Sequence, residues 1–213
     1  MKKLAIRLEE RYLLDMKKVE QLKRHLKPGQ VYRREDLAHW SNAVDRHLKE
    51  LSADGTLTKL AGGLYYHPKK TVFGEAPAQD EELVEAFLKD DRYLLASPNA
   101  YNTLGVGTTQ LYNETVVYNH KRHGRFDLGG RVFDFRVKPR FPKSLTREFL
   151  LVDLVGNVNR LAEDREQVLS RVQDQVAGMD RPRLARTVHE YGSARARKFF
   201  ANALGGSAAS HAA

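Results

Sequence analysis

The chain has 213 residues, 41% of them hydrophobic and 30% charged, with 36 Lys and Arg against 27 Asp and Glu for a formal net charge of +9. That length suits one large or two small domains, each with its own core. The absence of cysteine excludes disulfides, thiolate metal sites and a cysteine nucleophile. No window approaches about 18 uncharged apolar residues, so no membrane-spanning helix is expected.

The charge is unevenly spread. Residues 1–70 hold 16 basic and 9 acidic side chains, residues 71–180 hold 14 and 17, and residues 181–213 hold 6 and 1. A basic block followed by a near-neutral middle points to a polyanion-binding module joined to something else; the plainer reading is a basic solvated surface. The start, MKKLAIRLEERYLLDMKK, resembles a signal peptide, but Arg7, Glu9, Glu10 and Arg11 interrupt any apolar stretch. It reads as helix, and the protein as cytoplasmic.

In chain order, Leu13, Met16, Val19, Leu22 and Leu26 recur at helical spacing and predict an amphipathic helix over 12–26. Pro28-Gly29 ends it. Val31-Tyr32 suggests a short strand, and RREDLAHW a short helix bearing Leu37, Ala38 and Trp40. A further helix follows, with Ser41 or Asn42 as its cap. Its Val44, Leu48 and Leu51 form one narrow apolar stripe, and Asn42, Asp45, Arg46 and Lys49 fall opposite. It ends at Asp54-Gly55. Leu57, Lys59 and Leu64, Tyr66 then bracket Ala61-Gly62-Gly63 as a hairpin. Helix, short strand, helix, tight turn, helix and hairpin within 1–70 is the order of a winged helix-turn-helix, in which the third helix enters a major groove and the hairpin lies on the neighbouring backbone or minor groove. Protein-binding modules share that order.

Residues 71–80, TVFGEAPAQD, read as a linker. A second domain is expected over 81–204. It opens with a helix, DEELVEAFLKD, whose acidic first turn suits the helix dipole. YLLAS is a strand or helix end, and PNAYNTLG a short helix capped at Ser97 or Asn99. Strands follow at 115–118 and, after Gly129-Gly130, at 132–137. A helix capped by Ser144, another ending at Gly178, and one or two more complete it. The expected class is α+β, with a small antiparallel sheet and C-terminal helices. The tail 205–213 is expected to be disordered.

Candidate chemistry is sparse. Gly105–Thr109, GVGTT, invites a phosphate-loop reading, yet it lacks GxxxxGK[ST] and no lysine follows; a turn of small residues accounts for it. His120 and His123 have metal-like spacing without a third ligand nearby, and read as surface histidines. Asp134 to Lys138 alternates acid and base on what reads as a solvated strand face. No serine sits in GxSxG. Tyr65 and Tyr66 could stack on bases, though one is expected to pack the hairpin onto the core. No catalytic constellation is expected, nor any cofactor or metal.

Three stretches together resemble AbiEi-type antitoxins. They are Gly55-T-Leu57-T-K-Leu60-A-G-Gly63-L-Tyr65-Y-H-Pro68, Ser97-P-N-A-Y-N-T-Leu104-Gly105-V-G-Thr108-Thr109-Gln110, and the late HEYGSARARKFFANAL. The resemblance runs from about residue 15 to 204, and departs at Gly107, where a bulkier residue is expected. It implies the antitoxin of a type IV toxin–antitoxin pair: a repressor of its own operon through the winged helix, with a C-terminal domain that counteracts a nucleotidyltransferase-like toxin encoded nearby, typically without forming a stable complex with it.

The residues expected at double-stranded DNA, the chain's own operator, are Asn42, Arg46 and Lys49 on the third helix. Arg46 is the expected base reader, and Asn42 is equally explained as a helix cap. Ser41, Arg33, Arg34 and Lys59 are expected at phosphates. An oligomer on DNA is compatible with this, although no dimer seam is visible. Arg181, Arg183, Arg186, Arg195 and Arg197 offer a second nucleic-acid surface or simply solvate their helices. The rival expectations are a protein-interaction module restraining a partner enzyme, with the winged helix as docking surface, and a nuclease or transferase whose acids converge only in the fold.

Overall fold

The computed structural model describes Met16 and residues 18–205; the expectations for the earlier N-terminal residues and for 206–213 lie outside the described residues. Two compact units emerge. The first runs to Asp91 and includes Asp127–Gly130; the second comprises Arg92–Phe126 and the residues from Arg131 on.

In the first unit, helix α1 (described over 18–23) buries Val19 and Leu22. Met16, expected on the same stripe, is 42% exposed and lies before the first core position. A turn through Gly29, at φ 86, leads into β1 (Gln30–Arg33). Then come α2 (Arg34–Ala38), α3 (Val44–Ala53), β2 (Thr58–Ala61) and β3 (Leu64–His67). β3 is central in a three-stranded antiparallel sheet of order β1-β3-β2. The β2–β3 turn is Gly62-Gly63; Gly63 sits at φ 74, where a side chain would be strained. Val19, Leu22, Leu26, Tyr32, Leu37, Val44, Leu48, Leu51 and Leu57 form one core.

Residues 71–80 are not a linker. Lys69–Thr71 (β4) and Gly74–Ala76 (β5) pair as an antiparallel hairpin, and α4 (Asp80–Leu88) follows. Thr71 Oγ1 accepts the Phe73 N–H at 3.2 Å and donates to the Gly74 carbonyl at 2.8 Å. Gly74, at φ 108, takes the conformation that closes such a turn. The Tyr66 hydroxyl donates to the Ala76 carbonyl at 2.8 Å, tying the hairpin to β3. α4 buries Leu83, Val84 and Leu88 and packs against β1. The helix expected to open the second domain therefore belongs to the first unit.

The second unit carries β6 (Tyr93–Ala96), a 3-10 helix (Pro98–Leu104) capped by Ser97, strands β7 (Glu114–Asn119) and β9 (Arg131–Val137), and β8 (Gly124–Leu128) up to Phe126. The sheet order is β6-β7-β9-β8. β6 and β7 are antiparallel, but β7 and β9 pair in parallel, Glu114 opposite Val132 through Asn119 opposite Val137. The expected antiparallel sheet thus contains one parallel pair, because β9 lies between β7 and β8.

Four helices complete the unit: α5 (Arg147–Asn157), α6 (Arg165–Ala177), α7 (Arg181–Tyr191) and α8 (Ala194–Gly205). Thr146, not Ser144, caps α5, its hydroxyl accepting the Phe149 N–H at 3.1 Å. α5 is buried over seven consecutive residues, Phe149–Val155, the signature of a helix enclosed on all sides. It packs on α7 and α8, and Phe149 joins Leu94, Val116 and Tyr118 of the sheet. The chain is mixed α+β, with small sheets and C-terminal helices.

Leu48 is 1% exposed at the centre of the first core. Leu48→Ala is expected to destabilise that unit by ~2–5 kcal/mol. Urea unfolding followed by the fluorescence of Trp40, the single tryptophan, checks this; an unchanged midpoint contradicts the packing described.

Candidate nucleic-acid interface

α3 presents two unlike faces. Val44, His47, Leu48 and Leu51 are buried, whereas Asn42, Asp45, Arg46 and Lys49 are exposed. His47 is the member of the inner face that apolar patterning misses. It is fully buried and shares a 2.7 Å hydrogen bond between its Nδ1 and Ser41 Oγ. Ser41 Oγ also accepts the Ala43 N–H at 3.2 Å. Ser41 is only 9% exposed, so its hydroxyl serves the α2–α3 turn and is not presented to a phosphate. The residue preceding the helix is Ala43, with no side-chain cap. Neither Ser41 nor Asn42 is the cap, and Asn42 stands exposed in the turn before α3.

The two expected phosphate arginines are engaged within the fold. Arg34 makes a bidentate pair with Asp45, both bonds 2.6 Å, which joins the start of α2 to the first turn of α3. Arg33 makes a bidentate pair with Asp36 at 2.8 and 2.9 Å and a further ion pair with Glu35 at 3.3 Å. These hydrogen bonds hold the Asp45 and Asp36 carboxyls below the usual carboxylate range. To reach a phosphate, either arginine has to give up a planar two-bond match. Lys49 on α3 and Lys59 on β2 are exposed, and among the described residues neither is held in an ion pair. Arg46 shares the outer face with Lys49.

Sequence reasoning passed over three neighbours. Trp40 is 43% exposed and stacks in parallel on His25, ring centroids 4.8 Å apart. It borders a depression of about 350 Å³ with Asn42, Lys18 and Gln21. The β4–β5 hairpin projects Val72 and Phe73, 93% and 98% exposed, above Lys69 and Lys70. The available signal for Val72 and Phe73 was an apolar pair directly after Lys69-Lys70-Thr71; for Trp40 it was the single tryptophan beside His39.

The second unit corrects the reading of Asp134 to Lys138 as a solvated face. Asp134 is 9% exposed and pairs with Arg136 at 2.7 Å. Lys138 Nζ reaches Asp153 Oδ1 at 2.7 Å and lies 3.8 Å from the Tyr118 ring centroid. Asp153, 4% exposed, also accepts from the Tyr101 hydroxyl at 2.8 Å and the Tyr118 hydroxyl at 2.7 Å. Asn157 joins the group, accepting from Arg136 at 3.0 Å and donating to the Tyr118 hydroxyl at 3.1 Å. Each carboxylate is thus matched to a cation, and among the described residues no three His, Asp or Glu gather as a metal site. His120 and His123 are exposed, and His120 stacks on Phe141 at 4.7 Å.

Burial and the nearby Asp153 charge push Tyr101 and Tyr118 well above the usual phenol range. An acid whose folded-state pKa is raised contributes stability below its unfolded pKa of ~10 and loses it as pH rises beyond. Thermal stability is therefore expected to fall steeply above about pH 10. Tyr118→Phe should soften that alkaline slope while lowering neutral stability by ~1–3 kcal/mol through the lost bond to Asp153. Melting curves between about pH 8 and pH 11 measure both; an unaltered slope contradicts the network.

No family model and no curated protein matches the sequence. Among solved structures, the crystal structure of RV2827C protein from Mycobacterium tuberculosis is similar, with a TM-score of 0.53 and 20% identity over 87% of this chain and 75% of that one. At that identity the likeness is one of fold.

Proposed function

We propose that the chain is a DNA-binding autorepressor acting as the antitoxin of a type IV toxin–antitoxin pair. The observation that carries the DNA-binding half is the outer face of α3. A helix anchored by its inner stripe offers Arg46 and Lys49 to solvent, Asn42 stands exposed in the turn before it, and a glycine-turned hairpin bearing Lys59 follows directly. In this reading the first unit is a winged helix-turn-helix with α3 as recognition helix and β2–β3 as wing. Arg46 reads a guanine through O6 and N7. Lys49 and Lys59 hold phosphates and set the salt dependence. The antitoxin half is supported by the sequence resemblance, and the nucleotidyltransferase-like toxin is the partner that it implies.

One observation favours a second reading. Phe73 at a hairpin tip suits a protein partner as well as a nucleic acid, so the same unit could dock onto the enzyme it restrains. Salt separates the two, because counterion release makes DNA affinity fall steeply with ionic strength.

Fluorescence anisotropy across a salt series, on the duplex upstream of the gene and on a scrambled control, tests the proposal. Arg46→Ala is expected to cost ~1–3 kcal/mol and relax sequence preference, whereas Lys59→Ala should weaken both duplexes alike. Equal, weak binding to both duplexes by the unaltered protein contradicts the repressor reading.

A further inference from the structure

The loop from Gly105 to Gln110 has a donor set unlike that of an ordinary turn. Gly105, at φ 69, ends the 3-10 helix, and Gly107 follows at φ 79. Beyond them two successive backbone amides, Thr109 N–H and Gln110 N–H, converge on one oxygen, Glu163 Oε1, at 2.8 and 3.0 Å. Consecutive amides aimed at one point form a concave nest that favours an anion.

The surroundings add further donors. A Cβ on Gly107 would lie 1.7 Å from an Arg171 guanidinium nitrogen and 2.8 Å from its central carbon, so the missing side chain lets the cation lie on the loop backbone. The positive φ of Gly107 is what favours glycine there, and Arg171, a flexible side chain, occupies the space that a Cβ would take. Arg171 is exposed, and among the described residues its guanidinium forms no ion pair, with Glu163 or otherwise. Thr108 is 6% exposed, and its hydroxyl oxygen has no hydrogen-bond partner. A buried hydroxyl without a partner is costly. Two amides converge on the carboxylate oxygen, and an arginine without an ion pair lies on the same loop beside Gly107, so a phosphate that took the carboxylate's place would find amide donors there and a cation close by in the loop.

We propose that Gly105–Gln110 is a phosphate-binding nest that Glu163 holds closed, and that a phosphate group opens it by displacing the carboxylate. The site differs from a nucleotide P-loop in having no lysine, and it does not depend on the DNA-binding reading of the first unit. Its ligand is a phosphate carried by a free anion, a nucleotide or a nucleic-acid backbone.

The test is a titration of the full chain followed at the Thr109 and Gln110 amides in proton–nitrogen correlation spectra, at constant ionic strength. Inorganic phosphate is expected to shift both amides saturably. Glu163→Gln keeps the shape but removes the competing charge, and should tighten phosphate binding about tenfold. Arg171→Gln, at an exposed position, should weaken it by a similar factor. Two more probes, a nucleoside triphosphate and a short single-stranded oligonucleotide, identify the source. Shifts with the first and with inorganic phosphate mark a terminal phosphate; shifts with the oligonucleotide alone mark a backbone phosphodiester. No movement of these amides with any probe, in spectra otherwise well dispersed, overturns the proposal. So does loss of the two signals in Glu163→Gln that no probe restores, which would leave Glu163 a structural latch.

Discussion

α3 can bury only one face, and that constraint organises the first unit. Val44, Leu48 and Leu51 enter a core that α1, β1 and α2 have already begun, and His47 joins them because Ser41 supplies a polar partner inside. With those four turned inward, Arg46 and Lys49 have no direction left but outward, next to Asn42 in the turn before the helix. The basic face is therefore a consequence of the core rather than a separate design. The Arg34–Asp45 pair adds to this by joining α2 to the first turn of α3. Arg34 thereby orients the helix whose outer face carries the proposed reader.

The second unit has its own centre in α5. Its apolar run is interrupted by Asp153, which two tyrosines and Lys138 surround. Removing one partner from a buried charge of this kind costs ~3–5 kcal/mol, so the network fixes α5 against the sheet in one register. Polar groups matched this completely specify an arrangement as much as they stabilise it.

The sequence showed most elements where their signals were local. α3 was legible from three apolar positions and a terminal glycine, and the Gly62-Gly63 turn from its flanking alternation. Three features escaped for physical reasons. The β4–β5 hairpin carries Val72 and Phe73 at a turn where Asn, Asp or Gly is usual, so Gly74 and Pro77 read as a linker. The parallel β7–β9 pair depends on which strand lies beside which, and alternation along one strand does not encode that. Asp134 and Lys138 looked solvated because what buries them is not local: Arg136, two residues on, folds onto Asp134 while bonding Asn157 of α5, and Asp153 of α5 reaches Lys138. In the proposed interface, spacing found the outward residues of α3 but could not show that Arg33, Arg34 and Ser41 are engaged with their own neighbours.

The most direct measurement is amide chemical-shift mapping of the full chain on the duplex upstream of its gene. Perturbations are expected to concentrate at Asn42, Arg46 and Lys49 and across the Lys59–Gly63 hairpin. Perturbations confined to the C-terminal arginine-rich helices, or absent from α3, would contradict it.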